Sequence, residues 1–325
     1  MSWEAPAEMA ERARVDARWA AARRLVRRSI LIVPTNVPRF VEKAHLRDAD
    51  AVMLDLEDSI PASEKAAARG MLGDAVGKVG RGGADVLVRI NKPYELAMGD
   101  VDAAVRPGVA AIAFPKTESA REVALLDAAI GRREAAQGMP VGAVRLVVMI
   151  ETARGLRAVD EILATSDRIV GVDLGSEDFT RDLEVEPTPS GHELLVARQL
   201  VVAAARRAGV QAHGMATTLA NYTDVDALRD SIRRAREMGF RGAGCIHPAQ
   251  VPLLNEGFSP PPERVERARQ VLAIFEEAVR QGRASASIDG EMIDVPVAER
   301  ARAIVERAEA IAAFEAKKRA AIESI

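Results

Sequence analysis

A single cysteine, Cys245, in 325 residues excludes an internal disulfide and any metal cluster built from cysteines. Aromatic residues are almost as scarce. Two Trp, two Tyr and seven Phe make up 3% of the chain, too few for the stacking platforms that hold single-stranded nucleic acid. Neither sign of charge prevails: 45 Lys and Arg against 48 Asp and Glu leave −3, without the basic excess of a nucleic-acid binder. No apolar run approaches the roughly 20 residues that a membrane span needs. The first apolar run is not followed by Gly-x-Gly-x-x-Gly, which argues against a dinucleotide fold, and there is no Gly-x-Ser-x-Gly elbow or Walker loop. The N-terminal stretch 1–28 is charged and helical in pattern and lacks the apolar core of a secretory leader. A cytoplasmic protein with no membrane or nucleic-acid partner is therefore expected.

What is present is an ordinary globular composition, 48% hydrophobic and 29% charged, with enough apolar residues for a large core. Short apolar runs at 29–33, 51–56, 85–90, 109–114, 145–150, 168–174, 210–213 and 243–247 alternate with longer stretches of helical pattern. They are bounded by Gly, Pro, Asn and Asp, and their length suits buried parallel strands. Eight such units predict an α/β fold, a closed (β/α)8 TIM barrel, with an open doubly wound sheet as the alternative. The sequence divides into an N-terminal helical segment at 1–26, a barrel at 27–258 and a C-terminal extension at 259–325. In the extension, Pro260, Pro261 and Pro262 precede a helix over about 263–281. A flexible small-residue linker at 282–289 and a last helix over about 298–320 follow.

Active sites of such barrels lie at the C-terminal ends of the strands. Asp55, Glu57, Asp58, Arg89, Asn91, Lys116, Glu151, Glu177, Asp178 and His247 all fall there. Glu151 and Asp178 are 27 residues apart, one βα unit, so they belong to adjacent strands. Two carboxylates with open remaining positions suit Mg²⁺; a charge pair neutralised by Arg154 or Arg89 is the alternative. The Arg89 fork suits a carboxylate or developing enolate, or a buried ion pair with Asp55 or Glu57. His213 and His247 end strands and are positioned for hydrogen bonds to a substrate. His45 and His192 read as helix-surface residues, and Cys245 as a small buried residue.

The segments RRSILIVPTNVPRFVEKA (27–44), DAVMLDLEDSIPASEKAAAR (50–69), VRIN (88–91), FPKTES (114–119), MIETARGL (149–156), LGSEDFTRDL (174–183), MGFRGAGCIHPAQV (238–251) and DGEMIDVP (289–296) occur in this order. Together they resemble the HpcH/HpaI aldolase/citrate lyase family, in its citrate lyase β-subunit-like or CoA-ester lyase branch. That branch includes malyl-CoA and citramalyl-CoA lyases. The resemblance implies a TIM barrel in homotrimers or hexamers, with Mg²⁺ (or Mn²⁺) held by Glu151 and Asp178. It implies that Arg89 contacts the substrate, that the backbone around Glu177 and around Ile246 and His247 lines its site, and that Lys43 contacts CoA phosphate. Asp294 matches the catalytic acid/base, donated in relatives by an adjacent subunit. Val37 stands where many members carry an arginine that contacts CoA, and Arg39 is the nearby substitute. The turn after the seventh run, beginning at His213, also departs from the family pattern.

The implied activity is cleavage or formation of a malyl-CoA- or citramalyl-CoA-like thioester, giving acetyl-CoA and a 2-oxo acid. A CoA-independent 2-oxo-acid aldolase and a malyl-CoA-type thioesterase are the alternatives on the same metal site. A non-catalytic subunit binding CoA or an acyl carrier is a further one.

Overall fold

The computed structural model describes residues 6–218 and 223–325. Two compact units emerge, one formed by 1–22, 27–258 and 318–325, the other by 23–26 and 259–317.

The first unit is built on eight parallel strands, β1 (Ser29–Pro34), β2 (Ala51–Asp55), β3 (Asp85–Arg89), β4 (Ala111–Phe114), β5 (Arg145–Ile150), β6 (Ile169–Leu174), β7 (Gln211–His213) and β8 (Ala243–Cys245). A helix, α1 (Pro6–Arg24), comes first in the chain. Between and after the strands run α2 (Pro38–Ala44), α3 (Lys65–Gly80), α4 (Tyr94–Ala104), α5 (Ala120–Ala136), α6 (Ala153–Arg157), α7 (Val159–Ala164), α8 (Ser176–Asp182), α9 (Leu195–Ala208), α10 (Val225–Met238) and α11 (Gln250–Gly257). Strands pair in the order β7-β6-β5-β4-β3-β2-β1-β8. The remaining seam is stitched by two backbone bonds, Arg241 N–H to the Ala212 carbonyl and Gly214 N–H to the Gly242 carbonyl, both 2.9 Å. The sheet is thus a TIM barrel, as the eight apolar runs require.

Both faces of the sheet are covered, which is why its strands read as continuous apolar runs rather than alternating ones. Inward residues such as Ile30, Met53, Leu87, Val147 and Met149 fill the barrel. Outward ones such as Leu54, Val88, Ile112 and Val148 pack with the helices in a larger core. Because strand side chains alternate, register decides which residues reach the interior. Asp55 pairs with Arg89, Met149 with Asp173, and Asp173 with His213.

The end of the barrel where the strands begin is plugged. Trp19 of α1 lies against the guanidinium groups of Arg206 and Arg241, at 4.9 and 5.5 Å from the ring centre. Arg18 donates to the Ile169 carbonyl at 3.0 Å. Asp50, fully buried, takes two bonds from the Arg28 fork at 2.7 and 2.9 Å and one from Lys318 at 3.1 Å. A buried aspartate with two cations stays ionised; burial opposes this, but Arg28 outweighs it and holds the carboxyl below its ordinary range.

In the second unit, α12 (Pro262–Arg280), an antiparallel hairpin of β9 (Ala286–Ile288) and β10 (Glu291–Ile293), and the start of α13 (Val295–Glu323) share a small core around Val271, Ile293 and Ala301. Three of the eight residues of the linker expected at 282–289 are therefore strand. Ser287 and the neighbouring alanine and isoleucine are too few and too small to signal β structure by themselves, and pairing with β10 creates it. No helix among the described residues is long and apolar enough to cross a membrane.

Candidate active site

The rim where the strands end carries a chain of opposite charges. Arg89, the last residue of β3, donates through Nε and Nη2 to the two oxygens of Asp55, the last of β2, each at 2.7 Å. Asp55 also accepts from the N–H groups of Glu57 and Ser59. Burial favours its neutral form, but the Arg89 fork prevails and holds the carboxyl below its ordinary range. Arg89 is in turn held firmly protonated, because Asp55 and Glu57 outweigh its own burial. The ion-pair alternative for Arg89 is thus realised. Its Nη1 edge faces Glu57 Oε2 at 3.3 Å.

Lys116 stands two residues beyond β4 and gathers the other carboxylates. Its ammonium contacts Glu57 Oε1 and lies 2.9 Å from Asp58 and 3.8 Å from Asp178. Its backbone N–H donates to Glu151 Oε2 at 2.6 Å. Its φ of 47° is left-handed, a conformation that costs a side-chain-bearing residue energy and that clusters at functional sites. Glu57 is pushed above its ordinary range by burial, against the pull of Arg89 and Lys116.

Glu151 follows β5, is 2% exposed and has no ion pair among the described residues. Burial first, and the charge of Asp178 after it, push its carboxyl up to about 7 against the Lys116 N–H. Gly175, at the start of α8, makes room for it: a Cβ there would stand 2.5 Å from Glu151 Cγ and Oε1. Asp178, on the first turn of α8, is paired with exposed Arg181 at 2.7 Å. Two neighbouring carboxylates, one buried and resisting ionisation, are the donor set a hard divalent cation would neutralise, with remaining positions left to water or substrate. Among the described residues, no group of three or more His, Cys, Asp or Glu could hold a metal ion; Glu151 and Asp178 would supply two ligands. Among the described residues Arg154 pairs with neither carboxylate; Arg181 and Lys116 both meet Asp178.

The other expected residues are distributed differently. A cavity of about 560 Å³ beside the rim is lined by Arg39, Phe40, Lys43, Arg47, Ile246 and His247. It brings together four of the residues the sequence singled out. The N–H groups of Ile246 and His247, expected to face substrate, are both taken by Gln250 Oε1 at 3.0 Å. Their side chains line the groove instead. Glu177 is exposed on α8. Asn91 turns inward to the Leu56 carbonyl and Asp100. His213 is fully buried in the barrel, against Gly171 and Gln211. His45 is buried at the end of α2 rather than on its surface, because Gly82, just past α3, lies against it. Cys245 is buried, its thiol pushed up to about 12 by burial alone. Asp294 belongs to the second unit, where its Oδ1 accepts from the Val297 N–H at 3.1 Å and caps α13.

One group escaped the sequence reading. Asp173, in the middle of the apolar run of β6, points into the barrel between Met149 and His213. It is 8% exposed, makes no hydrogen bond or ion pair among the described residues, and is pushed up to about 7 by burial, with Arg89 opposing. Its signal was parity. It lies two residues before Gly175, so it shares the inward face.

The chain is similar to several known proteins. The family model of the HpcH/HpaI aldolase/citrate lyase matches residues 28–248. The citrate lyase subunit beta of Haemophilus influenzae is 35% identical over 284 residues, 87% of this chain and 97% of that protein. A (3S)-malyl-CoA thioesterase of Cereibacter sphaeroides is 33% identical over 293 residues, 89% of this chain and 97% of its own. Among solved structures, CitE of Mycobacterium tuberculosis in complex with magnesium, acetoacetate and coenzyme A superimposes with a TM-score of 0.68 at 28% identity, covering 88% of this chain and 99% of that one. The matched region holds the whole carboxylate rim and the basic groove, and the chain belongs to the HpcH/HpaI aldolase/citrate lyase family, in its citrate lyase β-subunit-like branch, as an enzyme of the lyase type.

Proposed function

We propose that the protein is a divalent-metal-dependent lyase acting on a malyl-CoA- or citramalyl-CoA-like 3-hydroxyacyl-CoA thioester, which it cleaves to, or forms from, acetyl-CoA and a 2-oxo acid. The observation that carries this reading is the Glu151–Asp178 pair on the same rim as Arg89, beside a groove lined by three cations. Relatives named for malyl-CoA and a relative containing magnesium and coenzyme A support it.

Glu151 and Asp178 would hold Mg²⁺ or Mn²⁺, which when bound polarises the hydroxyl and carboxylate oxygens of the acyl group. The residues of the chain do the rest. Asp55 fixes two nitrogens of Arg89 and Glu57 faces the third, so the guanidinium is held in one orientation on the rim, where its positive charge balances the charge that grows on the thioester oxygen as the C–C bond breaks. The hydroxyl gives up its proton to solvent water, its O–H electron pair becomes the carbonyl of the oxo acid, and the C–C pair leaves with the acetyl-CoA carbon. The departing carbon, as the enolate of acetyl-CoA, takes a proton from Asp294 of an adjacent subunit in a homotrimer or hexamer. In reverse, Asp294 removes that proton. Arg39, Lys43 and Arg47 meet the CoA phosphates, and Phe40 and Ile246 supply apolar walls. Arg39 then takes the role vacated by Val37.

The test presents malyl-CoA and citramalyl-CoA with Mg²⁺ and scores acetyl-CoA separately from free CoA. EDTA-sensitive acetyl-CoA release, lost in Glu151→Gln and Asp178→Asn, is expected. Asp294→Asn should keep metal binding and lose turnover; full activity would remove Asp294 from this role. The 33% identity to a thioesterase favours a second reading: free CoA with no acetyl-CoA would establish hydrolysis in place of cleavage.

A further inference from the structure

Four carboxylates, from Glu57, Asp58, Glu151 and Asp178, converge on one residue of the rim, Lys116. Three of them meet its ammonium and one meets its backbone N–H. The other two cations of the rim are committed. Arg89 is held by Asp55, and Arg181 pairs with Asp178 from the exposed side. The left-handed backbone at Lys116 is what allows one residue to send its N–H to Glu151 and its side chain across to Glu57. Its side chain is 21% exposed and Asp58 is 56% exposed, so the contact between them is the outer edge of the cluster.

We propose that Lys116 is a tethered counter-ion to the carboxylate cluster, which a divalent cation entering between Glu151 and Asp178 expels toward Asp58. This rests on the reading of Glu151 and Asp178 as the metal ligands. The argument is Coulombic. An ammonium 3.8 Å from Asp178 lies inside the first few ångströms around any ion bound to that carboxylate, in a half-buried site where repulsion is weakly screened. The ammonium already touches Glu57 and Asp58 and stands farther from Asp178, so it yields by moving toward them. The Asp58 contact at 2.9 Å offers the outward position without new structure. Two consequences follow. Lys116 weakens metal binding, keeping the ion exchangeable. It also stabilises the carboxylates when the ion is away.

The first measurement is Mn²⁺ affinity, read from the free-ion EPR signal, for the wild type, Lys116→Asn and Lys116→Arg. Asparagine tolerates the left-handed backbone, so the N–H to Glu151 is retained. The Asn variant should bind Mn²⁺ at least tenfold more tightly, melt at a lower temperature in EDTA and gain more on adding Mn²⁺; the Arg variant should stay within about threefold of the wild type. Unchanged or weaker binding by the Asn variant overturns the proposal. The second measurement needs no variant. Acylation of Lys116 by an N-hydroxysuccinimide ester, followed by mass spectrometry, should speed up several-fold when Mn²⁺ saturates the wild type. Equal or slower labelling overturns outward movement. If the wild type and the Asn variant both bind no Mn²⁺, the metal reading falls and the proposal with it; wild-type binding with no gain in the variant overturns the proposal alone.

Discussion

Asp55 and Arg89 stand opposite each other in the β2–β3 register, with both carboxylate oxygens 2.7 Å from guanidinium nitrogens. The pair ends two neighbouring strands and sets the direction in which Arg89 can act. Asp55 is fully buried and Arg89 nearly so. Breaking such a pair from one side strands a charge. Asp55→Ala should therefore destabilise the protein by about 3–5 kcal/mol in urea titrations. It should also reduce kcat far more than KM, because the guanidinium loses its fixed orientation. A loss under 1 kcal/mol would mean that Arg89 finds another partner at once.

The carboxyl of Asp173 gives the protein a pH dependence that is not catalytic. Its ordinary value is 3.8 and burial pushes it up to about 7 in the folded state. A carboxyl raised on folding stabilises the protein fully below the unfolded value, and that contribution is lost as pH rises through about 7. Asp173→Asn should accordingly match the wild type near pH 4 and exceed it at pH 8, with roughly 4 kcal/mol as the ceiling at 1.36 kcal/mol per unit. Denaturant melts across that range check it. A constant difference between the two proteins would show that Asp173 titrates normally.

Gly175 can be tested without touching a charge. Its backbone conformation is open to alanine, yet the new Cβ would meet Glu151 at 2.5 Å. Gly175→Ala should displace that carboxylate, weaken Mn²⁺ binding at least tenfold and leave the far-ultraviolet circular dichroism unchanged. Metal binding equal to the wild type would mean that Glu151 accommodates the methyl group elsewhere.

The basic groove should act on binding alone. Lys43→Ala and Arg39→Ala are each expected to raise KM for a CoA thioester about tenfold, as for a lost charge-assisted phosphate contact, with kcat within a factor of two. A fall in kcat at unchanged KM would place these residues with the chemistry instead.

Much of this was legible in the chain itself. All eight strands could be found because a strand buried on both faces is an apolar run, and the rim residues because they immediately follow such runs. The shortest elements escaped. Helix α8 directly follows a strand and carries only one apolar residue in seven, Phe179, so Glu177 and Asp178 looked like a strand end. The β9–β10 hairpin looked like a linker because its residues gain strand character only from each other. Asp173 was hidden inside an apolar run, where its inward direction depends on register rather than on composition. The two aspartates Asp55 and Asp173, on β2 and β6, differ in the same way. Asp55 finds an arginine across the register and Asp173 finds none, and no count of residue types distinguishes them. Lys116 was visible as a rim residue, but its grip on four carboxylates exists only in three dimensions.

The barrel's ring of strands is closed unevenly. Five backbone positions pair β1 with β2, whereas among the described residues β7 and β8 are joined only by the two stitches at Arg241 and Gly214. A hoop under thermal load opens at its thinnest join. The amides of Arg241 and Gly214 should exchange with deuterium before those inside β1 or β2, and a chain recut in this seam should keep its fold better than one recut on the opposite wall. The molecule thus has a mechanical grain, and it runs along the side farthest in the strand order from β4.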